Sequence, residues 1–137
     1  MTILIAGGAG YIGSHINLEL SRNGIDTIVF DNLSRGHRGH VLSDEFVLGD
    51  LANPNDIDMV FKSHNIKAVM HFAAFSCVGE SVSNPALYYQ NNVTNTLNLL
   101  TSMQKYGINK LVFSSTSAVY GVPNSGSNHR NSNLKTD

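Results

Sequence analysis

The sequence predicts an α/β fold built on a doubly wound parallel sheet, and three observations support this. Short apolar segments alternate with amphipathic ones along the chain, as they do where helices connect parallel strands. The first segment, Thr2 to Ala6, is almost entirely apolar, which is typical of a strand buried on both faces. A glycine cluster follows that segment at once and precedes a helical pattern.

Three helices are predicted from apolar residues at helical spacing and from the residues at their boundaries. Pro54 and Pro85 suit first helical positions, because their missing N–H would be unpaired there anyway. Gly24 and Gly107 suit the position just past a helix end. The helices are expected at residues 11–23, 54–63 and 85–106.

Four further strands are predicted where short apolar segments stand between helices and loops. Residues 32–40 are polar and contain glycine, and they are expected to form a loop; residues 75–84 are expected to form a longer one. With right-handed crossovers the strand order becomes 3-2-1-4-5. The loops after the first and fourth strands then share the crevice where ligands bind. The further strands are expected at residues 26–30, 45–48, 67–71 and 110–114.

Residues 1–121 are therefore expected to form one Rossmann-like, cofactor-binding domain. Residues 122–137 show no apolar period and read as an exposed loop. We expect a sheet truncated after about five strands, with residues 122–137 as a truncated tail and a C-terminal substrate domain absent.

Composition narrows the class of protein. The chain has 137 residues, 42% of them hydrophobic and 14% charged, as in a globular domain. A net charge of −1 without a basic block argues against nucleic-acid binding. No apolar run reaches the ~18 residues of a membrane span, and no secretory signal is visible. Cys77 is the single cysteine, so no disulfide can form within the chain, which favours an intracellular location. We expect a cytoplasmic protein without a nucleic-acid or membrane partner.

The glycine cluster is the first candidate site. Gly7, Gly10 and Gly13 stand three apart between a strand and a helix. Glycines at this spacing allow a sharp turn, close approach of a pyrophosphate, and close packing of the helix on the strand. The helix N-terminus then offers unpaired N–H groups to the phosphates. By itself the triplet could be a glycine-rich turn without a ligand.

Asp31, which closes the second strand, is the candidate for selecting the cofactor. A carboxylate at this position accepts both ribose hydroxyls of an adenosine and repels a 2′-phosphate, which favours NAD over NADP. Arg35 and Arg38 follow in the next loop and could hold a phosphate, so NADP stays open.

Other polar or small residues end neighbouring strands, and each has a simpler alternative role. Asp50-Leu51 could border an adenine pocket or be a turn. Phe72-Ala73-Ala74 could let the backbone pass close to a cofactor or be plain core. Asn91 could face the crevice or the solvent. Ser114 to Ser117 could bind a substrate oxygen or form a hydroxyl-rich turn. The scattered histidines predict no metal site.

Together these residues resemble the UDP-glucose 4-epimerase branch of the extended short-chain dehydrogenase/reductase family. The resemblance runs from Met1 to about Pro123. The segments that carry it are 7–15, Asp31-Asn32-Leu33, Gly49-Asp50-Leu51, His71 to Ala74, Val78-Gly79-Glu80-Ser81-Val82, Pro85, Tyr88 to Val93, Phe113 to Thr116 and Val119-Tyr120-Gly121.

The resemblance implies a tightly bound NAD, a UDP-sugar substrate and a homodimer. In that family UDP-glucose and UDP-galactose are interconverted by transient oxidation at carbon 4. Thr116 matches the family's Ser/Thr that helps bind the reacting hydroxyl. The cofactor-binding residues that the pattern and the resemblance imply are Gly7, Gly10, Tyr11, Ile12, Gly13, Asp31, Asn32, Ser34, Asp50, Leu51, Phe72, Ala73, Ala74, Ser76, Asn91 and Ser114.

Two departures from the family's pattern matter. The usual lysine after the fourth strand is Ser76 here. The family's Tyr-x-x-x-Lys pair, which supplies the general base, is expected beyond the last residue given; Tyr120 is followed four residues later by Asn124. The chain alone is therefore expected to be inactive. Two alternatives to this interpretation stay open: another nucleotide-sugar epimerase or dehydratase, and a non-catalytic NAD-binding module.

Overall fold

A computed structural model describes residues 1–42 and 45–121 of the chain. Its parallel sheet has the order β3-β2-β1-β4-β5, which confirms the predicted fold class and strand order. The expected tail at 122–137 lies outside the described residues. The elements are β1 Thr2–Ala6, α1 Tyr11–Arg22, β2 Thr27–Asp31, β3 Phe46–Leu48, α2 Pro54–Ser63, β4 Ile66–His71, α3 Val78–Ser83, α4 Pro85–Tyr89, a π-helical turn Gln90–Thr94, α5 Asn95–Lys105 and β5 Leu111–Phe113.

The core lies on both faces of the central strand β1. Leu4 and Ile5 are both fully buried and, as neighbours in a strand, point to opposite faces. Leu4 belongs to the cluster formed with Ile57 of α2 and Leu99 of α5. Ile5 belongs to a second cluster, against which Leu20 of α1 packs. Helices thus cover both faces, and burying each such side chain contributes about 1.5–3 kcal/mol.

Two predictions about local structure were wrong. Residues 78–83 form the short helix α3 rather than part of a loop. Its sequence gives no start signal at the N-cap position, because Cys77 is not one of the residue types that favour a helix start, and its side chain makes no cap hydrogen bond. The helix expected to be continuous from 85 is interrupted by the π-helical turn Gln90–Thr94.

Apolar side chains remain exposed in β5 and on the helix that follows Pro85. In the edge strand β5, Val112 and Phe113 are each more than half exposed. Val93 of the π-helical turn and Leu97 of α5 are each about half exposed. Within the part of the chain that the structure describes, none of the helices has the length and apolarity to cross a bilayer.

Candidate functional site

A crevice opens at the carboxyl edge of the sheet. It lies where the strand order reverses between β1 and β4, the usual ligand position in open parallel sheets. Its walls come from the loops after β1, β2, β3 and β4 and from the helix that starts at Pro85. The lining residues are Gly7, Gly10, Phe30, Asp31, Asn32, Ser34, Arg35, Gly36, Gly49, Asp50, Leu51, Phe72, Ala73, Ala74, Phe75, Asn91 and Asn95.

The glycine turn packs backbone against backbone. Gly7 has φ +79°, and a Cβ atom there would lie 2.5 Å from the Ala73 nitrogen. A Cβ atom on Gly13 would overlap the Gly7 carbonyl oxygen. At Gly10 a Cβ would meet only that same oxygen, at 3.4 Å. The missing side chain of Gly7 therefore lets the turn pack against the chain after β4, and that of Gly13 lets α1 pack against the turn. Gly10, in contrast, leaves space toward the crevice.

Helix α1 begins at this turn without a side-chain cap. Gly10 is its N-cap residue, and within the described residues no side-chain cap bond is made to the first turn. The first amides of a helix have no partner within the helix and carry the positive end of its dipole. Because Gly7 and Gly10 line the crevice, this end of α1 is suited to a phosphate group there.

Asp31 fastens the end of β2 to the glycine turn. Its Oδ2 accepts a hydrogen bond from the Ala9 nitrogen at 3.0 Å, and its Oδ1 accepts one from the Leu33 nitrogen at 2.8 Å. A carboxylate has about four acceptor positions, so both oxygens can still accept from hydroxyl groups in the crevice. The position thus suits a ribose.

Asp50 connects the loops after β2 and β3. Its Oδ2 accepts from the Asn32 side-chain amide at 3.0 Å, and its Oδ1 accepts from the Ala52 nitrogen at 2.8 Å. Asn32 in turn accepts from the Ser34 nitrogen at 2.9 Å. These bonds hold the polar wall of the crevice next to buried Leu51.

A buried histidine holds the end of β4. The Nδ1 of His71 accepts from the Ala73 nitrogen at 3.2 Å, so its Nε2 carries the proton toward Thr96 Oγ1 at 3.0 Å. Burial lowers the pKa of His71 and keeps the ring neutral, as this arrangement requires. Ala73 is thereby fixed against Gly7.

The π-helical turn brings asparagines to the crevice. The Asn92 side chain accepts from the Phe75 nitrogen and donates to the Phe75 oxygen, both at 2.9 Å. Asn91 and Asn95 line the crevice, and Asn95 is 5% exposed. Asn91 was a sequence prediction. Asn95 was missed, although it follows Asn91 by one helical turn.

Arg35 and Glu80 form an ion pair between the loop after β2 and helix α3. The Arg35 Nη2 lies 2.9 Å and 2.6 Å from the two carboxylate oxygens of Glu80. Hydrogen bonding from Tyr88, then from Arg35, lowers the pKa of Glu80, while Glu80 raises the pKa of Arg35. Arg38, the other phosphate candidate, lies 4.6 Å over the Phe46 ring. Glu80 was not predicted as a site residue.

The crevice brings together most of the predicted cofactor residues but not all. Tyr11 and Ile12 begin α1 with exposed side chains, and Gly13 is buried beneath the turn. Ser76 and Ser114 lie outside the lining, and their roles stay predictions. Phe75 lies within the segment from Phe72 to Ser76 that the resemblance implies as cofactor lining, whereas the lining residues that were not predicted are Phe30, Gly36, Gly49 and Asn95.

Thr116, the predicted catalytic residue, also lies outside the lining. Its hydroxyl accepts from the Ala118 nitrogen at 3.2 Å and caps the short turn Ser117–Tyr120. Its catalytic role stays a prediction. No cluster of three His, Cys, Asp or Glu side chains suited to a metal ion occurs in residues 1–42 and 45–121.

The Tyr-x-x-x-Lys spacing does occur once in the sequence, at Tyr106 and Lys110. This occurrence was not among the predicted site residues. This pair follows α5 and precedes β5, so it lies at the opposite edge of the sheet from the crevice. The Tyr106 ring packs 5.7 Å from that of Phe61. Within the described part of the chain, no such pair reaches the crevice.

Comparison with known proteins gives a consistent result. Residues 3–136 match the model of the NAD-dependent epimerase/dehydratase family. A UDP-glucose 4-epimerase from Halalkalibacterium halodurans is 50% identical over 123 residues, covering 90% of this chain and 37% of that protein. The chain thus spans well under half the length of this relative.

Solved structures agree. UDP-glucose 4-epimerase from Thermus thermophilus, in complex with NAD, superimposes with a TM-score of 0.89 at 37% identity, covering 98% of this chain and 44% of that one. The Thermotoga maritima enzyme with UDP-glucose gives a TM-score of 0.83 at 38% identity, covering 88% and 40%.

Proposed function

Because the chain belongs to the NAD-dependent epimerase/dehydratase family, we propose that its crevice binds NAD in the service of interconverting UDP-glucose and UDP-galactose. The observation that carries the proposal is the uncapped N-terminus of α1, opening on the crevice that Asp31 also lines. Amides suited to a pyrophosphate and a carboxylate suited to a ribose are what a dinucleotide requires.

The residues present fit this cofactor. The space beside Gly10 lets a pyrophosphate approach the backbone, where the amides of Tyr11 and Ile12 would donate to it. Asp31, with Asn32 beside it, would accept from the adenosine ribose. Asp50 and Leu51 would border the adenine. Asn91 would approach the ribose at the far end.

Bound NAD would supply the hydride acceptor and donor for carbon 4 of the sugar. Around that reaction we assign Thr116 to holding the reacting hydroxyl, with Ser114 and Ser76 near the cofactor's reactive end. The reaction also needs a general base. Since no Tyr-x-x-x-Lys pair reaches the crevice in the described residues, we expect the 137-residue chain by itself to bind NAD without catalysing epimerisation.

Calorimetric titration of the full chain with NAD tests the proposal. The unaltered chain should bind, and Asp31→Ala should weaken binding by about tenfold or more, since charge-assisted hydrogen bonds contribute about 1.5–3 kcal/mol each. Asp26→Ala is the matched control, because Asp26 is exposed and lies at the opposite end of β2. Failure of the unaltered chain to bind NAD would contradict the proposal. Turnover of UDP-galactose by this chain would contradict the expected inactivity.

The similarity to an epimerase solved with UDP-glucose supports this substrate over those of other epimerases or of dehydratases. A non-catalytic NAD-binding module would also bind NAD, and a coding sequence that supplies no Tyr-x-x-x-Lys pair at all would favour that alternative. We assign the protein to the cytoplasm.

We further assign a homodimer to the helix surface that carries Val93, Leu97 and Leu100, because these apolar side chains are all exposed and stand four and three residues apart, as on one helix face. Sedimentation equilibrium should show dimers that Leu97→Glu dissociates. A monomer at all concentrations would contradict this assignment.

A further inference from the structure

We propose that Glu80 is a specificity-determining residue, which excludes 2′-phosphorylated dinucleotides by holding the guanidinium of Arg35. This inference rests on the proposed function, because it concerns which dinucleotide the crevice accepts. It addresses the question that the sequence left open, namely whether the arginines after β2 serve a phosphate.

Arg35 is the cation best placed to accept a 2′-phosphate. It follows Asp31 by four residues and lines the same crevice. Among the described lining residues it is the one Lys or Arg side chain, whereas Asp31 and Asp50 are both acidic. A phosphate monoester carries nearly two negative charges at neutral pH. Without that cation, the only charged side chains among the described lining residues would be the carboxylates of Asp31 and Asp50.

The structure gives that cation another partner. Both carboxylate oxygens of Glu80 lie within 2.9 Å of the Arg35 Nη2 atom. The guanidinium also lies 4.8 Å over the Phe75 ring, a favourable cation–π distance. A 2′-phosphate would therefore have to displace Glu80 before it could use Arg35.

Glu80 is itself fixed in place. The Tyr88 hydroxyl lies 2.7 Å from Glu80 Oε2, and it accepts from the Cys77 nitrogen at 3.1 Å. The Tyr88 ring meets that of Phe75 edge to face, with centroids 5.8 Å apart. Phe75 is in turn held through its backbone by Asn92. These contacts hold the Glu80 carboxylate in position to pair with Arg35.

Specificity is a difference between two affinities and can be obtained by disfavouring the wrong ligand. The ion pair is partly exposed, with side chains 55% and 34% accessible, so its contribution to folding is small. Removing the charge of Glu80 should therefore leave the fold intact while freeing Arg35. The effect should appear in the ratio of the two dissociation constants rather than in stability.

The test measures dissociation constants for NAD and NADP by calorimetry on the full chain. We expect the unaltered chain to prefer NAD. We expect E80Q to lower the ratio of the NADP Kd to the NAD Kd by about tenfold, because Arg35 then no longer loses a charge-assisted pair with Glu80 when it binds the 2′-phosphate. The double variant E80Q/R35Q should restore the original ratio, because the gain depends on Arg35. E19Q removes an exposed carboxylate of α1 outside the crevice lining and should leave the ratio unchanged.

Each other outcome overturns the inference. Equal weakening of both cofactors by E80Q would give Glu80 a merely structural role. A gain in NADP binding that persists in E80Q/R35Q would assign the effect to net charge. If the unaltered chain binds NAD but E80Q keeps its ratio, this inference alone fails. If the unaltered chain binds neither cofactor, the proposed function fails with it.

Discussion

The N-termini of α1 and α2 are built in opposite ways, although both helices start after a strand at the same edge of the sheet. At α2, the Asn53 side-chain oxygen accepts from the Asn55 nitrogen at 3.1 Å, and Pro54 takes the first position. The Asp56 carboxylate accepts from the side-chain amide of Asn53 at 2.8 Å. At α1 the corresponding residue is Gly10, with no side-chain cap. The capped end stabilises its own helix, whereas the uncapped end keeps its amides for a ligand.

Giving α1 a cap should break this contrast most strongly. In Gly10→Asp the new carboxylate can accept from the first-turn amides, and the added Cβ meets nothing closer than 3.4 Å. We expect folding stability to stay constant or rise by a few tenths of a kcal/mol. NAD affinity should fall about 100-fold, or about 2.8 kcal/mol, in calorimetry, because the carboxylate occupies and repels the pyrophosphate position.

Gly10→Ala is the control for size, since it adds the Cβ without charge and should weaken NAD binding less. Unchanged NAD binding by Gly10→Asp would show that the α1 amides do not serve the cofactor.

The second prediction concerns the packing of α1 on its turn. In Gly13→Ala the new methyl would overlap the Gly7 carbonyl oxygen. Overpacking of up to about 3 kcal/mol outweighs a gain of about 1 kcal/mol in helix propensity. We expect a net loss of about 2 kcal/mol in urea unfolding. Gly79→Ala, in α3, meets no atom within 4 Å and should cause no loss. Equal effects would refute the packing argument.

Removing the cap of α2 should have the complementary effect. Asn53→Ala leaves the Asn55 nitrogen without its side-chain acceptor, which should lower stability by about 1 kcal/mol in urea unfolding. NAD affinity should not change, because Asn53 lies outside the crevice lining. Asn55→Ala retains the cap and serves as the control. A matching loss of NAD affinity in Asn53→Ala would erase the distinction between the two helix ends.

The smallest expected effect is a pH dependence carried by His71, at the end of β4. Burial lowers the pKa of His71 from its ordinary value of 6.5, so the unfolded chain binds a proton more readily than the folded one. The stability that this group contributes is complete above that value and decreases as the pH falls below it. Protonation of Nδ1 would also remove the acceptor of the Ala73 nitrogen.

Urea unfolding at several pH values from about 7 to about 5 measures this effect. His71→Asn should flatten the slope of the free energy of unfolding against pH. Asn53→Ala should lower that free energy by the same amount at every pH and leave the slope unchanged. A slope unaffected by His71→Asn would refute the assignment.

The residues that sequence could predict are those whose role is local. Gly7 and Asp31 were readable because a turn and a strand end are defined by neighbouring residues. Gly36 and Gly49 were not, since what a Cβ would strike there is Ala9 and the Phe30 ring, which only the tertiary fold brings close. Glu80 was missed for the same reason, because its partner stands 45 positions away.

The π-helical turn sets the rotational phase between the two parts of one long helix. Successive residues of an α-helix are about 100° apart around its axis, and a π-turn accommodates one additional residue. Loss of one residue from Gln90–Thr94 would leave an ordinary helix but rotate α5 by about that angle. Leu99 and Met103 would then leave the core, so the asparagines at the crevice and the apolar seam of α5 share a single length constraint.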